Sequence, residues 1–72
     1  MKSMLLEVKS NGEKIILLDG SEWLINPEDI PSVCTWIPTA ELNITKTKSN
    51  DLFSYKITND GIGISVYASR IK

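Results

Sequence analysis

The sequence predicts a small all-β barrel of five or six short antiparallel strands with one short helical turn near residues 27–30. Three observations carry that expectation. Residue pairs that accept positive φ recur along the chain, at Asn11-Gly12, Asp19-Gly20 and Asp60-Gly61, and two-residue hairpin turns need this chemistry. The runs between and beyond them (4–8, 13–18, 22–25, 41–47, 53–58 and 62–69) are rich in Ile, Val, Thr and aromatic residues, which suit a pleated sheet. The strands before Asp19 are apolar on both sides, so something must cover a second face.

Taken in order, the first hairpin turns at Asn11-Gly12 and sets Val8 opposite Ile15 and Leu6 opposite Leu17 on the inner side. Leu5, Ile16, Leu18 and Leu24 then fall on the other face. The segment after residue 25 carries Ile30, Val33, Trp36 and Ile37 and is expected to fold back over that face in a monomer, with a symmetric homodimer as the alternative. Asn26-Pro27-Glu28-Asp29 reads as an N-cap, a proline in the first helical position and acids in the first turn, while Pro31 keeps the helix to one or two turns. In the strand 41–47, Leu42 and Ile44 alternate with Asn43 and Thr45. A two-residue turn at Asp60-Gly61 sets Asn59 opposite Ile62, Ile57 opposite Ile64, Tyr55 opposite Val66 and Phe53 opposite Ala68 on one face. Lys56 then pairs with Ser65, and Ser54 with Tyr67, on the polar face. Strands this short and this sharply turned suit an SH3-like barrel. An oligonucleotide-binding-type barrel needs more chain, and an open meander leaves the two-sided strands bare. The 72 residues, 1–72, make one domain with a thin core.

Asp19-Gly20-Ser21-Glu22-Trp23, Pro27-Glu28-Asp29, Trp36-Ile37-Pro38 and Tyr55-Lys56-Ile57-Thr58-Asn59 together resemble the pattern of a group of small bacterial proteins. In that group a DGS-x-W turn precedes P-x-D, W-x-P-G-D and a terminal Y-K-I-x-N hairpin. The resemblance covers roughly residues 15–72 and implies an SH3-like barrel of uncharacterised function, often with an export signal. It implies no activity. This chain departs from the pattern at Pro38-Thr39-Ala40-Glu41, where the group places Gly and Asp.

Composition narrows the function classes. The chain is 42% hydrophobic and 24% charged with a net charge of −1, which neither disorder nor a strongly basic nucleic-acid binder shows. Histidine is absent and Cys34 stands alone, which removes the commonest general base, the commonest metal ligand and any internal disulfide; no cofactor or metal is expected. No run approaches the roughly 18 apolar residues of a membrane span. The first residues are too short for a signal peptide, so a cytoplasmic protein is expected, or an exported one if a leader has been removed.

The residues that could carry chemistry have plainer roles. Gly61-Ile62-Gly63 lacks the third glycine and following helix of a phosphate loop and reads as a turn. Asn43-Ile44-Thr45 is a chance glycosylation tripeptide in a strand. Glu28 and Asp29 serve a helix start, and Glu22 with Glu41 lacks a pocket to shift a pKa. Cys34 has no basic neighbour to activate it. Both tryptophans are expected in the core, with Trp36, near Pro38, the candidate binding anchor of the pair. Acids outnumber bases seven to three through Glu41, and bases outnumber acids five to two from Leu42 onward. Lys56, Tyr67 and Arg70 are therefore the other candidate binding residues. The expected function is a non-enzymatic protein-interaction module whose partner is another protein, with weak nucleic-acid binding through the basic C-terminal half as the alternative.

Overall fold

The computed structural model describes residues 2–47 and 53–72. Among them six strands form: β1 (Lys2–Lys9), β2 (Lys14–Leu17), β3 (Glu22–Ile25), β4 (Glu41–Lys46), β5 (Tyr55–Asn59) and β6 (Ile64–Arg70). Between β3 and β4 lie a 3₁₀ turn, Pro27–Asp29, and the short helix α1 (Ile30–Val33). The strands close into an antiparallel barrel in the order β1-β2-β3-β6-β5-β4. This is the small all-β, SH3-like barrel with one helical turn that the turn pairs and strand patterns predict. It consists of two three-stranded meanders, β1–β3 and β4–β6, joined along two seams. One seam pairs β1 with β4 (Met4 opposite Glu41), and the other pairs β3 with β6 (Trp23 opposite Arg70).

Alternation fills the interior. Leu5, Ile15, Leu17, Trp23 and Ile25 enter from the first meander, and Leu42, Ile44, Ile57, Val66 and Ala68 from the second. Val33 and Trp36 join this cluster from the connecting segment. The helical start forms as the sequence signals, with the Asn26 side-chain oxygen accepting the Glu28 N–H at 3.2 Å and Pro27 in the first turn.

The first hairpin keeps Val8 opposite Ile15, but Leu5, not Leu6, lies opposite Leu17. Leu6 is an extra residue in β1, a bulge that turns Leu5 into the core and Leu6 outward. A sharply curved barrel needs such a bend, and hydrophobicity does not reveal it, because both candidates are leucine. Gly12 takes φ +101° at the turn, and a Cβ there would stand 2.7 Å from the Cys34 Sγ. That thiol donates to the Asn11 carbonyl at 2.8 Å, which ties α1's end to the first turn.

The last hairpin corrects the predicted register by two residues. Tyr55 faces Ala68, Ile57 faces Val66 and Asn59 faces Ile64; Lys56 faces Tyr67 and Thr58 faces Ser65. Phe53 lies before β5 and outside the ladder. The loop has four residues, and its positive φ falls at Gly63 (+70°) instead of Gly61. The Asn59 carbonyl accepts the N–H groups of Ile62 and Gly63, and its side chain accepts that of Gly61 at 3.1 Å. A shift of two preserves the faces, so Ile57, Val66 and Ala68 stay inside, while Ile62 is carried out of the ladder into the loop and Ile64, at the ladder's last rung opposite Asn59, is 40% exposed.

The middle segment does not cover the outer face of the first meander. Val33 and Trp36 plug into the core, and α1 rests against the Ser10–Gly12 turn and β6. Leu6 and Leu18 consequently remain 48% and 55% exposed, with Leu24 also open to solvent.

Candidate interaction groove

The two tryptophans mark two differently finished regions of the barrel. At the β2–β3 turn, Gly20 adopts φ +87° and Asp19 folds back on the chain. One oxygen of its carboxylate accepts the Ser21 N–H at 2.9 Å and the Ser21 hydroxyl at 2.6 Å. The Ser21 oxygen in turn accepts the buried Trp23 indole N–H at 2.9 Å. The Ser21 hydroxyl and N–H hold the Asp19 carboxyl below its ordinary value. Tyr55 meets the Trp23 ring edge-on at 5.0 Å, and the Arg70 guanidinium covers it at 5.6 Å. The DGS-x-W run is therefore a hydrogen-bonded relay that satisfies a core indole. The P-x-D run has a similar structural role, since Asp29 accepts the Tyr67 N–H at 2.9 Å while the Asn26 N–H donates to the Tyr67 carbonyl.

Trp36 has no such relay. It is 5% exposed, and its indole N–H is buried without a hydrogen-bond partner among the described residues. Beyond it, Ile37-Pro38-Thr39-Ala40 forms a tight turn in which the Ala40 N–H reaches the Ile37 carbonyl at 3.2 Å and Thr39 holds φ +72°. Proline in the second position and positive φ in the third define a type II turn, whose third position ordinarily takes glycine. A β-branched residue there is strained. The turn is clamped to β1, with Thr39 donating to the Leu5 carbonyl and Leu5 donating to the Ala40 carbonyl.

This segment and the β5–β6 loop form the walls of an open groove of about 510 Å³. Trp36, Ile37 and Thr39 line one side; Asn59, Gly61 and Ile62 line the other. Ile37 is 70% exposed, and Ile62 is also largely in solvent. Glu41 lies in the groove wall, and the Asp60 N–H donates to its carbonyl. Neither carboxylate is in an ion pair among the described residues.

The candidate residues do not converge. Trp36 lines the groove from its buried side. Lys56 and Tyr67 are direct cross-strand neighbours on the outer face of β5–β6, away from the groove lining. Arg70 lies at the other end of β6 from the groove loop, against Trp23. Ile62, expected opposite Asn59 on the inner face of the last hairpin, instead lines the groove, together with Thr39, Ile37 and Asn59, which carry no binding signature in the sequence. The departure from Gly at position 39 was the one local signal of the strained turn.

Among the described residues, no helix is long and apolar enough to cross a membrane, and no group of three or more His, Cys, Asp or Glu gathers as a metal site. Compared with protein-family models, curated proteins and solved structures, the chain matches none. Fold and site define it as a small closed β-barrel with an open, mainly apolar groove beside a core tryptophan whose indole N–H has no acceptor among the described residues.

Proposed function

We propose that this barrel is a non-enzymatic protein-interaction module and that the groove beside Trp36 receives an extended segment of a partner protein. The observation that carries the reading is the coincidence, in the lining of one groove, of two exposed isoleucines and Trp36, whose buried indole N–H has no acceptor among the described residues. A buried unpaired donor costs about 1–3 kcal/mol, so a bound segment that shifted the Trp36 ring enough to offer its N–H a carbonyl would gain from the contact. The exposed isoleucines supply apolar contact, and the strain at Thr39 places a disfavoured backbone conformation at the same spot.

Selection from a random peptide library displayed on phage tests the reading. Enriched peptides are expected to move the Trp36 indole resonance and to lose binding when Ile37→Asp or Ile62→Asp is introduced. Enrichment indifferent to both substitutions removes the groove from consideration. Weak nucleic-acid binding is the second reading, and the pairing of Lys56 with Tyr67 on one exposed face favours it. Against it, Arg70 is turned to Trp23 and Asp29 bonds the Tyr67 backbone. Titration with a single-stranded oligothymidylate, compared with Lys56→Glu and Tyr67→Ala, separates the two readings.

A further inference from the structure

We propose that the groove takes a basic partner: an extended segment with an apolar side chain between Ile37 and Ile62 and, within two positions of it, a lysine or arginine that meets the carboxylates of Glu41 and Asp60. This inference rests on the reading of the groove as a peptide site and adds the chemistry of the peptide. The last rung of the β4–β5 ladder pairs Leu42 with Asn59, both buried, and Glu41 and Asp60 follow it as exposed residues. The Asp60 N–H donates to the Glu41 carbonyl at 3.0 Å, which keeps the two acids side by side. Glu41 lines the groove, and both acids line a second cavity of about 280 Å³ that shares the Glu41 wall. Like charges set side by side across strands repel, and a cation placed against both removes that cost.

The chain itself does not supply that cation. Glu7 and Glu22 are ion-paired with lysines, Asp19 accepts from Ser21, and Asp29 accepts the Tyr67 N–H. The Glu41 and Asp60 carboxylates have no such partner among the described residues. No basic residue lines the groove. Lys2 lines the second cavity but is in no ion pair among the described residues, so one positive and two negative charges there leave one cation lacking. Arg70 and Lys72 are committed elsewhere, to the Trp23 ring and to Glu22. The same two acids repel phosphate, which disfavours a nucleic acid at this site. Asn59 adds a donor for the partner's backbone. It is 5% exposed, its side-chain oxygen accepts the Gly61 N–H, and its amide nitrogen has no acceptor among the described residues. Because Asn59 lines the groove beside Ile62, a carbonyl of an extended segment would satisfy that nitrogen.

An array of immobilised octapeptides is the test, with an apolar-rich sequence held constant and lysine, glutamine or glutamate placed at each position in turn. The labelled full chain is expected to bind the lysine series about fivefold better than the glutamine series at low salt, the upper end for one ion pair at a surface. The glutamate series should bind least. The preference should shrink towards parity at about 0.5 M salt, a measurement that needs no variant. Glu41→Gln combined with Asp60→Asn should abolish the preference and leave the glutamine series unchanged; both side chains are exposed, and circular dichroism checks the fold. Ile37→Ser, which adds no charge, should weaken all three series alike. A lysine series bound no better than the glutamine series, or a preference untouched by the double substitution, overturns the basic partner, and the groove survives that result if Ile37→Ser still weakens binding. Binding indifferent to Ile37→Ser, or no binding in any series, overturns the groove and the basic partner together.

Discussion

Trp23 and Trp36 belong to the same hydrophobic cluster, yet the chain provides for one indole donor and leaves the other without an acceptor. Around Trp23 the polar groups are matched to one another, since Asp19 orients Ser21, Ser21 receives the indole, and Arg70 covers the ring. Around Trp36 the backbone is strained at Thr39, the indole N–H is unpaired, and the wall opens into a groove. A small barrel has little core to spare, so a defect tolerated at only one of two equivalent side chains is a local choice. The first site is satisfied by its own side chains, and the second carries a strained turn and an indole N–H without an acceptor among the described residues.

The comparison breaks most readily by truncating the rings. Trp23→Phe should cost about 2–3 kcal/mol, since it removes ring volume, a buried hydrogen bond and the face that Arg70 covers. Trp36→Phe removes similar volume but also deletes an unpaired donor, so its cost should fall below that of Trp23→Phe by about 1 kcal/mol or more. Urea denaturation of both variants reads the difference, and equal losses would dissolve the distinction. Ser21→Ala should make the first site resemble the second by leaving the Trp23 indole unpaired, at about 1–3 kcal/mol. Thr39→Gly should act in the opposite direction, relieving the positive φ against a larger unfolded-state entropy for a net gain of about 0.5–1 kcal/mol. A higher urea midpoint with an unchanged slope is the expected signature.

The smallest expected effect is in acid. Asp19 has a folded-state pKa below its unfolded value, so its contribution is present above about pH 4 and is lost as pH falls through the lowered folded value. The group is exposed, and the effect is correspondingly modest. Between about pH 5 and pH 3 the wild type should lose stability more steeply than Asp19→Asn. Parallel slopes in that window would remove Asp19 from the relay's energetics.

Much of this architecture is legible in the sequence because sheet faces have a period of two. Alternation in 41–47 and 53–69 places Leu42, Ile44, Ile57, Val66 and Ala68 inside whatever the loop length. Loop length itself is not legible: Asp60-Gly61 has the chemistry of a two-residue turn, but Gly63 and the Asn59 side chain organise a four-residue one. The Leu6 bulge escapes for a related reason, since Leu5 and Leu6 are chemically identical and only barrel curvature chooses between them. The groove was the least visible. Its walls come from residues 35–41 and 59–62, which meet only when the barrel closes, and its distinguishing mark is a missing acceptor.

Closure also has a kinetic side. Each meander pairs strands that are neighbours along the chain, but the two seams join Met4 to Glu41 and Trp23 to Arg70, residues separated by about half the chain or more. Neither seam can form until a long intervening segment has been ordered, so the hairpins should appear early and the barrel late. Folding of such a chain is expected on the millisecond-to-second scale, with weakened seams slowing refolding and weakened turns changing it less. The same geometry that leaves no free sheet edge in the finished molecule leaves four of them exposed until the last step.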